Sequence, residues 1–180
     1  MAGLLARIHP LDSDAMERAR ARQGRLTKPP GSLGRLELIS VQLAGIFGLE
    51  RPEIRSKTVI VAAGDHGVVA QGVTGYPQEV TRQMVLNFLR GGAAVSVMAR
   101  HAGVKLVIVD AGVAGEVPRV EALRALRIGK GTDDISRGPA MSREQAERSL
   151  LEGARLAIEA ADDGADVIGT GDMGIGNTTP

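Results

Sequence analysis

Residues 165–179 read Ala165-Asp166-Val167-Ile168-Gly169-Thr170-Gly171-Asp172-Met173-Gly174-Ile175-Gly176-Asn177-Thr178-Thr179. The run Ala165–Gly169 is too short for a helix and holds the β-branched pair Val167-Ile168, so it is expected to be a strand. From Thr170 on, glycines alternate with polar residues, which predicts a loop leading toward a helix. Glycines after a strand let backbone N–H groups approach an anion, and a following helix adds its positive dipole end. Asn177, Thr178 and Thr179 add side-chain donors. The functional reading is therefore a phosphate loop, and the structural one is a tight turn capped by threonine. Gly169-x-Gly171-x-x-Gly174 also fits a dinucleotide fingerprint, whose partner acid would fall about 20 residues later, past Pro180. Asp172 counts against it, because it would repel a pyrophosphate unless it turns toward ribose hydroxyls. A nicotinamide-dinucleotide oxidoreductase is thus the second reading.

Working outward, Lys57–Ala63 (KTVIVAA) and Val104–Val109 (VKLVIV) are two further short apolar strands. Between them, Pro77 suits the first turn of a helix to about Arg90, with Val80, Met84 and Phe88 on one face. Gly91-Gly92 breaks it, and Ala93–His101 forms a second helix ended by Gly103. Ser142 with Gln145 makes a capping box for a helix to about Ala161. Nearer the start, Ser32 is the expected N-cap of a helix to Phe47 that buries Leu36, Ile39, Leu43, Ile46 and Phe47. Strands alternating with helices imply a parallel sheet covered by helices. Ligands gather at the carboxyl ends of such strands, where Gly64-Asp65-His66, Asp110-Ala111-Gly112 and Gly171-Asp172 all fall. Because the chain stops where a loop hands over to a helix, the sheet is expected to be incomplete.

Composition narrows the class. The chain has 180 residues, 43% hydrophobic and 24% charged, with net charge +1. Those values are expected of a globular protein whose bulk charge asks for neither nucleic acid nor a membrane surface. It has no cysteine, which removes disulfides, zinc thiolates and a cysteine nucleophile and fits a reducing cytoplasm. Aromatic residues are only Phe47, Tyr76 and Phe88, too few for a base-stacking platform. No segment reaches the roughly 18 apolar residues of a membrane span. No spacing of His or acids suggests a metal site. The arginines at 7, 18, 20, 22 and 25 read as a solvated helix face. Asp65-His66 has two readings: an acid–base pair, or a turn in which Asp65 caps and His66 bonds backbone. The second is favoured, because sequence neighbours rarely face each other.

Five segments taken in order are similar to one family. They are Pro30-Gly31-Ser32-Leu33-Gly34-Arg35-Leu36-Glu37, Gly64-Asp65-His66-Gly67-Val68, Tyr76-Pro77-Gln78-Glu79-Val80-Thr81 with Gln83-Met84-Val85, Gly91-Gly92-Ala93-Ala94, and Gly174-Ile175-Gly176-Asn177-Thr178-Thr179. From about residue 25 to the end, the chain resembles the nicotinate-nucleotide–dimethylbenzimidazole phosphoribosyltransferases. The resemblance implies transfer of a phosphoribosyl group from nicotinate mononucleotide to 5,6-dimethylbenzimidazole, giving α-ribazole 5′-phosphate and nicotinate, a step of cobalamin biosynthesis. It implies a doubly wound, Rossmann-like α/β fold with helices on both faces of a parallel sheet and a small helical accessory domain. On this chain that means residues 1–50 as the accessory segment and 51–180 as the nucleotide-binding domain. It implies a cytoplasmic homodimer without metal or other cofactor, whose partners are the mononucleotide and a benzimidazole base.

By the same resemblance Gly174, Gly176, Asn177 and Thr178 hold phosphate, with Asp172 toward ribose. Asp172 stands where relatives usually carry Glu. Gln83 and Met173 wall the base pocket, Gln83 having a solvated helix position as its other reading, and Tyr76 beside them reads more as packing. The general base resembles a carboxylate outside this chain, with Asp172 as a helper. A mononucleotide-binding fragment without turnover is the third reading.

Overall fold

The structure, a computed structural model, describes residues 2–180. The chain divides into two compact units, Met1–Ile54 and Arg55–Pro180.

The first unit holds three helices, α1 (Ala2–Leu5), α2 (Ser13–Arg25) and α3 (Arg35–Phe47). Asp12 caps α2 by accepting the Ala15 N–H at 2.8 Å. The helix predicted to start from Ser32 begins instead after Gly34, at φ 55°, with no side-chain cap. The reason lies upstream, where Ser32 donates its N–H to Pro29 and Gly34 to Gly31 in successive tight turns. Glu37 replaces the missing cap: it accepts the Leu33 N–H at 3.2 Å and the Lys28 ammonium at 2.7 Å. These bonds, Lys28 foremost, hold its carboxyl below the ordinary value. The expected apolar face of α3 is also corrected. Leu36, Ile39 and Ile46 are exposed, while Val41, Ala44 and Gly45 are buried against Ala19 and Met16 of α2. Small residues let the two helices approach closely, and that contact selects a face which periodicity alone does not rank.

The second unit is a parallel sheet of order β3-β2-β1-β4, built from β1 (Lys57–Gly64), β2 (Lys105–Gly112), β3 (Leu123–Ala125) and β4 (Val167–Met173). Parallel neighbours need crossovers. Helices α4 (Glu79–Arg90) and α5 (Ala94–Ala102) join β1 to β2, and α6 (Arg143–Asp162) leads back to β4. Val61, Ala63 and Ile108 turn to one face and pack with Val85, Phe88 and Ala93 of the α4–α5 segment. On α4 the buried stripe runs through Thr81, Val85 and Phe88, with Val80 and Met84 only half-buried. The other face carries Ile60, Ala62, Val109 and Ile168 toward Leu156 and Ala157 of α6. Helices therefore cover both faces. The α6 capping box is present, with Ser142 and Gln145 bonded reciprocally.

Two elements depart from expectation. The three-residue strand β3 pairs with Ile108–Asp110; too short to show a period, it gave no sequence signal. Strand β4 runs on through Met173, four residues past Gly169, in register with Lys57–Ala63 of β1. No helix among the described residues is long and apolar enough to cross a membrane.

Candidate functional site at the carboxyl edge of the sheet

The extension of β4 decides between the two readings of its glycines. Gly169 and Gly171 lie inside the strand, opposite Val59 and Val61 of β1. A Cβ on Gly169 would stand 3.1 Å from Val59 Cγ2, and one on Gly171 3.4 Å from Val61 Cγ2. These glycines make room for β-branched neighbours on the same face. They do not form a turn around a pyrophosphate, so the dinucleotide fingerprint is a coincidence of spacing.

The turn starts only at Gly174. The Asn177 N–H donates to the Gly174 carbonyl at 3.0 Å and the Thr179 N–H to Gly176 at 3.2 Å. The Ile175 N–H donates to Thr81 Oγ1 at 3.0 Å, which explains a fully buried threonine in α4. A Cβ on Gly174 would overlap the Gly64 carbonyl oxygen and stand 3.0 Å from His66 Cδ2 and Nε2. Gly176, at φ 84°, backs onto Val69, 2.8 Å from Cγ2 for a built Cβ. Val69 lies in a 3-10 helix, Gly67–Gln71. The turn is thus seated on the strand exit of β1, on that short helix and on the start of α4.

Beneath and beside the turn lies a cavity of about 490 Å³. Its polar rim includes Asp65, His66, Thr132, Gln145, Asp172 and Asn177; its interior is apolar, with Ile60, Ala62, Val109, Leu156 and Ile168. The volume suits a small molecule, and an apolar interior with a few convergent polar groups is the usual make-up of a ligand site.

Asp65 is 2% exposed. Its Oδ2 accepts the Ala114 N–H at 2.8 Å, and its Oδ1 is buried without a partner. Its N–H donates to Gly112 O, and its own carbonyl accepts the Thr132 N–H, both at 3.0 Å. Asp110 acts in parallel at the end of β2. Its Oδ1 accepts the Val113 N–H at 2.9 Å, and its carbonyl accepts the Leu126 and Arg127 N–H groups at 2.9 and 2.8 Å. The two acids stitch the loops after β2 and β3 to the strand ends. Asp65 therefore caps a neighbouring strand exit and not its own turn. The His66 carbonyl accepts from Gln78 Nε2 at 3.4 Å, while its imidazole has no hydrogen-bond partner among the described residues. Asp134 ties the loop after β3 to the 3-10 helix through Gln71 Nε2 at 2.6 Å. Bonds from Ser136 and Gln71 hold its carboxyl below the ordinary value.

Of the residues singled out in the sequence, Asp65, His66, Asp172, Met173 and Asn177 line one cavity. Asp172 does not point free into it: its Oδ2 accepts the Asn177 side-chain N–H. Gly174 and Gly176 form the turn above, and Thr178 is exposed beside it. Gln83 and Tyr76 are not brought to the cavity; both are exposed, Tyr76 at 67%. Thr81 and Thr132 escaped the sequence reading, because a threonine that anchors a loop looks like any other. Among the described residues no group of three or more His, Cys, Asp or Glu is placed to hold a metal ion.

A family model described as phosphoribosyltransferase matches residues 8–180. The nicotinate-nucleotide–dimethylbenzimidazole phosphoribosyltransferase of Roseiflexus sp. strain RS-1 is 55% identical over 175 residues, 97% of this chain and 50% of that protein. The Deinococcus radiodurans protein of the same name is 53% identical across 100% of this chain and 51% of its own length. A crystal structure of the Thermus thermophilus protein of that name superposes with a TM-score of 0.90 at 50% identity, covering 94% of this chain and 51% of that one. The chain spans about half the length of the curated relatives it matches.

Proposed function

The chain belongs to the phosphoribosyltransferase family that includes the nicotinate-nucleotide–dimethylbenzimidazole enzymes, and on that premise we propose that its cavity and turn bind nicotinate mononucleotide for transfer of the phosphoribosyl group to 5,6-dimethylbenzimidazole. The products are α-ribazole 5′-phosphate and nicotinate. The observation that carries the reading is the seating of Gly174–Asn177 on Gly64, His66, Val69 and Thr81. Segments far apart in sequence and singled out for their resemblance meet at that one turn.

The chemistry asks little of side chains at the leaving group. Nicotinate leaves from a pyridinium and becomes neutral at nitrogen as the bond breaks, so its departure needs no acid. What remains is an anchored phosphate, a pocket for a flat apolar base and one carboxylate to take the benzimidazole N–H proton. In this chain Gly174, Gly176, Asn177 and Thr178 are the proposed phosphate anchors. Asp172 orients Asn177, Met173 walls the base pocket, and Gln83 and Tyr76 reach a bound base only from outside the cavity described. The unit Arg55–Pro180 carries nucleotide binding and the N-terminal unit is accessory. We place the protein in the cytoplasm, which the absence of cysteine supports, and as a homodimer, which the exposed Leu36, Leu38, Ile39 and Ile46 of α3 support.

The test is nicotinate release from nicotinate mononucleotide and dimethylbenzimidazole by the whole protein that carries this sequence. Release matched one-to-one by α-ribazole 5′-phosphate is expected. A folded protein that binds the mononucleotide but releases nothing sinks the assignment of turnover. One that does not bind it sinks the assignment of the site.

A further inference from the structure

We propose that Thr81 is a positioning residue for phosphoribosyl transfer: its hydroxyl holds the Gly174–Asn177 turn in the conformation that receives the phosphate, an inference that rests on the phosphate reading of that turn. Thr81 is fully buried on the stripe of α4 that also carries Val85 and Phe88. Those two pack into the main apolar core, and a hydroxyl on such a stripe must find a partner. A threonine inside a helix often turns its hydroxyl back to a carbonyl of its own helix. Here Oγ1 serves another segment, accepting the Ile175 N–H at 3.0 Å from 94 positions further along the chain.

The close contacts of the turn cannot do this work. Gly174 lies against the Gly64 carbonyl and Gly176 against Val69; such contacts stop the turn from moving inward and do nothing to stop it lifting off. The Asn177 and Thr179 N–H groups bond within the turn, to Gly174 O and Gly176 O, and the Asn177 side chain reaches Asp172 at the end of β4. Outside the β1–β4 ladder, the bond to Thr81 is the one hydrogen bond among the described residues that ties 174–179 to another segment. The holding end is itself fixed. Gln78, at the N-cap of α4, donates from Nε2 to the His66 carbonyl at 3.4 Å. Positions 78 and 81 are three apart, on one side of the helix, so the start of α4 grips the exit of β1 through Gln78 and the exit of β4 through Thr81. A loop fixed before its ligand arrives loses less conformational freedom on binding, and that difference appears as affinity.

The experiment uses the whole protein that carries this sequence, with Thr81→Val, which keeps the volume and loses the acceptor, and Thr81→Ser, which keeps the hydroxyl and loses a methyl group. Kinetics at saturating dimethylbenzimidazole give KM and kcat, and calorimetry gives the affinities for nicotinate mononucleotide and for nicotinate riboside, which lacks the phosphate. Thr81→Val is expected to raise KM and weaken mononucleotide affinity by about 3- to 10-fold, the loss of one neutral hydrogen bond. Its kcat should hold, because the phosphate is gripped alike in ground and transition states, and its riboside affinity should not change. Thr81→Ser should return KM to the wild-type value even though it loses stability. A role confined to holding the fold together predicts the opposite split: a lower kcat from a smaller folded fraction, with KM unmoved. That split, a Thr81→Ser that shares the KM defect, or equal losses for both ligands overturns the assignment. Should Thr81→Val fail to fold, the Ile175 amide of the wild type decides. Slow exchange kept with the mononucleotide bound supports the proposal, and a through-bond coupling from that amide to the phosphorus, which would mean that Thr81 had released it, refutes it. If the wild type binds mononucleotide and riboside equally, the phosphate reading of the turn is wrong and the proposal falls with it, whatever Thr81 does for stability.

Discussion

At the scale of single residues, Gly174 is the position where the site tolerates least. Its neighbour is the Gly64 carbonyl oxygen, a backbone atom that cannot swing aside, with the His66 ring beyond it at 3.0 Å. Gly174→Ala must push the turn off β1. It is expected to cost about 1–3 kcal/mol, the range for overpacking a close contact, and to weaken mononucleotide binding as well. Urea midpoints and calorimetry on the same preparation check both; a variant that keeps both would mean the turn is not seated on Gly64. Asp172 and Asn177 are coupled through their side-chain bond. Removing Asn177 alone leaves a bare carboxylate near the phosphate, whereas removing both leaves none. A double-mutant cycle with Asp172→Ala and Asn177→Ala should therefore give a coupling of about 0.5–3 kcal/mol in mononucleotide affinity. Additive losses would mean that the pair does not act as one unit in binding.

At the scale of elements, two local devices set where helices and strands begin. The capping box of α6 satisfies two orphan N–H groups at once, Gln145 N to Ser142 Oγ at 3.2 Å and Ser142 N to Gln145 Oε1 at 2.8 Å. Ser142→Ala should destabilise the protein by about 1 kcal/mol with an unchanged denaturant slope; a shift below a few tenths would show that the helix start is held by other contacts. The start of β4 is held by Asp166, whose Oδ2 accepts the Arg55 and Ser56 N–H groups at 2.7 and 2.9 Å. Those bonds, Ser56 first, lower its carboxyl below the ordinary 3.8. A carboxyl lowered in the folded state stabilises it fully above the unfolded value and ceases to do so as pH falls through the folded one. Stability should therefore decline below pH 3.8 in part through Asp166. The urea midpoint of Asp166→Asn should fall less steeply than that of the wild type below about pH 4. Parallel curves would remove Asp166 from the acid limb.

At the scale of the whole molecule, the legible part of the fold was its strand–helix alternation and the convergence of strand ends on one edge. Short β-branched runs announce themselves at Lys57–Ala63 and Val104–Val109 and form the strands Lys57–Gly64 and Lys105–Gly112, and the capping box announced α6. The glycines of β4 did not, because glycine marks a turn and a crowded strand face alike until the valines beside it are placed. The packed face of α3 stayed hidden because its seam is made of alanine and glycine while leucines and isoleucines point elsewhere. The cavity rim was half legible: Asp172 and Asn177 stand out as polar side chains in a glycine-rich stretch, whereas the anchoring role of Thr81 depends on a partner 94 positions away. The finished topology also fixes how order should be distributed. Strand β1 is paired along both sides, with β2 and with β4, and its Val61 and Ala63 lie in the main core. Strand β2 has β1 on one side and only Ile108–Asp110 paired on the other. Strand β4 pairs with β1 alone among the described residues, and of the α6 residues on its side only Ala160 is buried. Opening a strand costs the hydrogen bonds on each paired side and the apolar contacts on each covered face. For the 180-residue chain, amide exchange should then be slowest in β1, intermediate in β2 and fastest in β4. Protection of β4 equal to that of β1 would mean that something covers its free edge in solution, a second copy of the chain being the first candidate to examine by sedimentation.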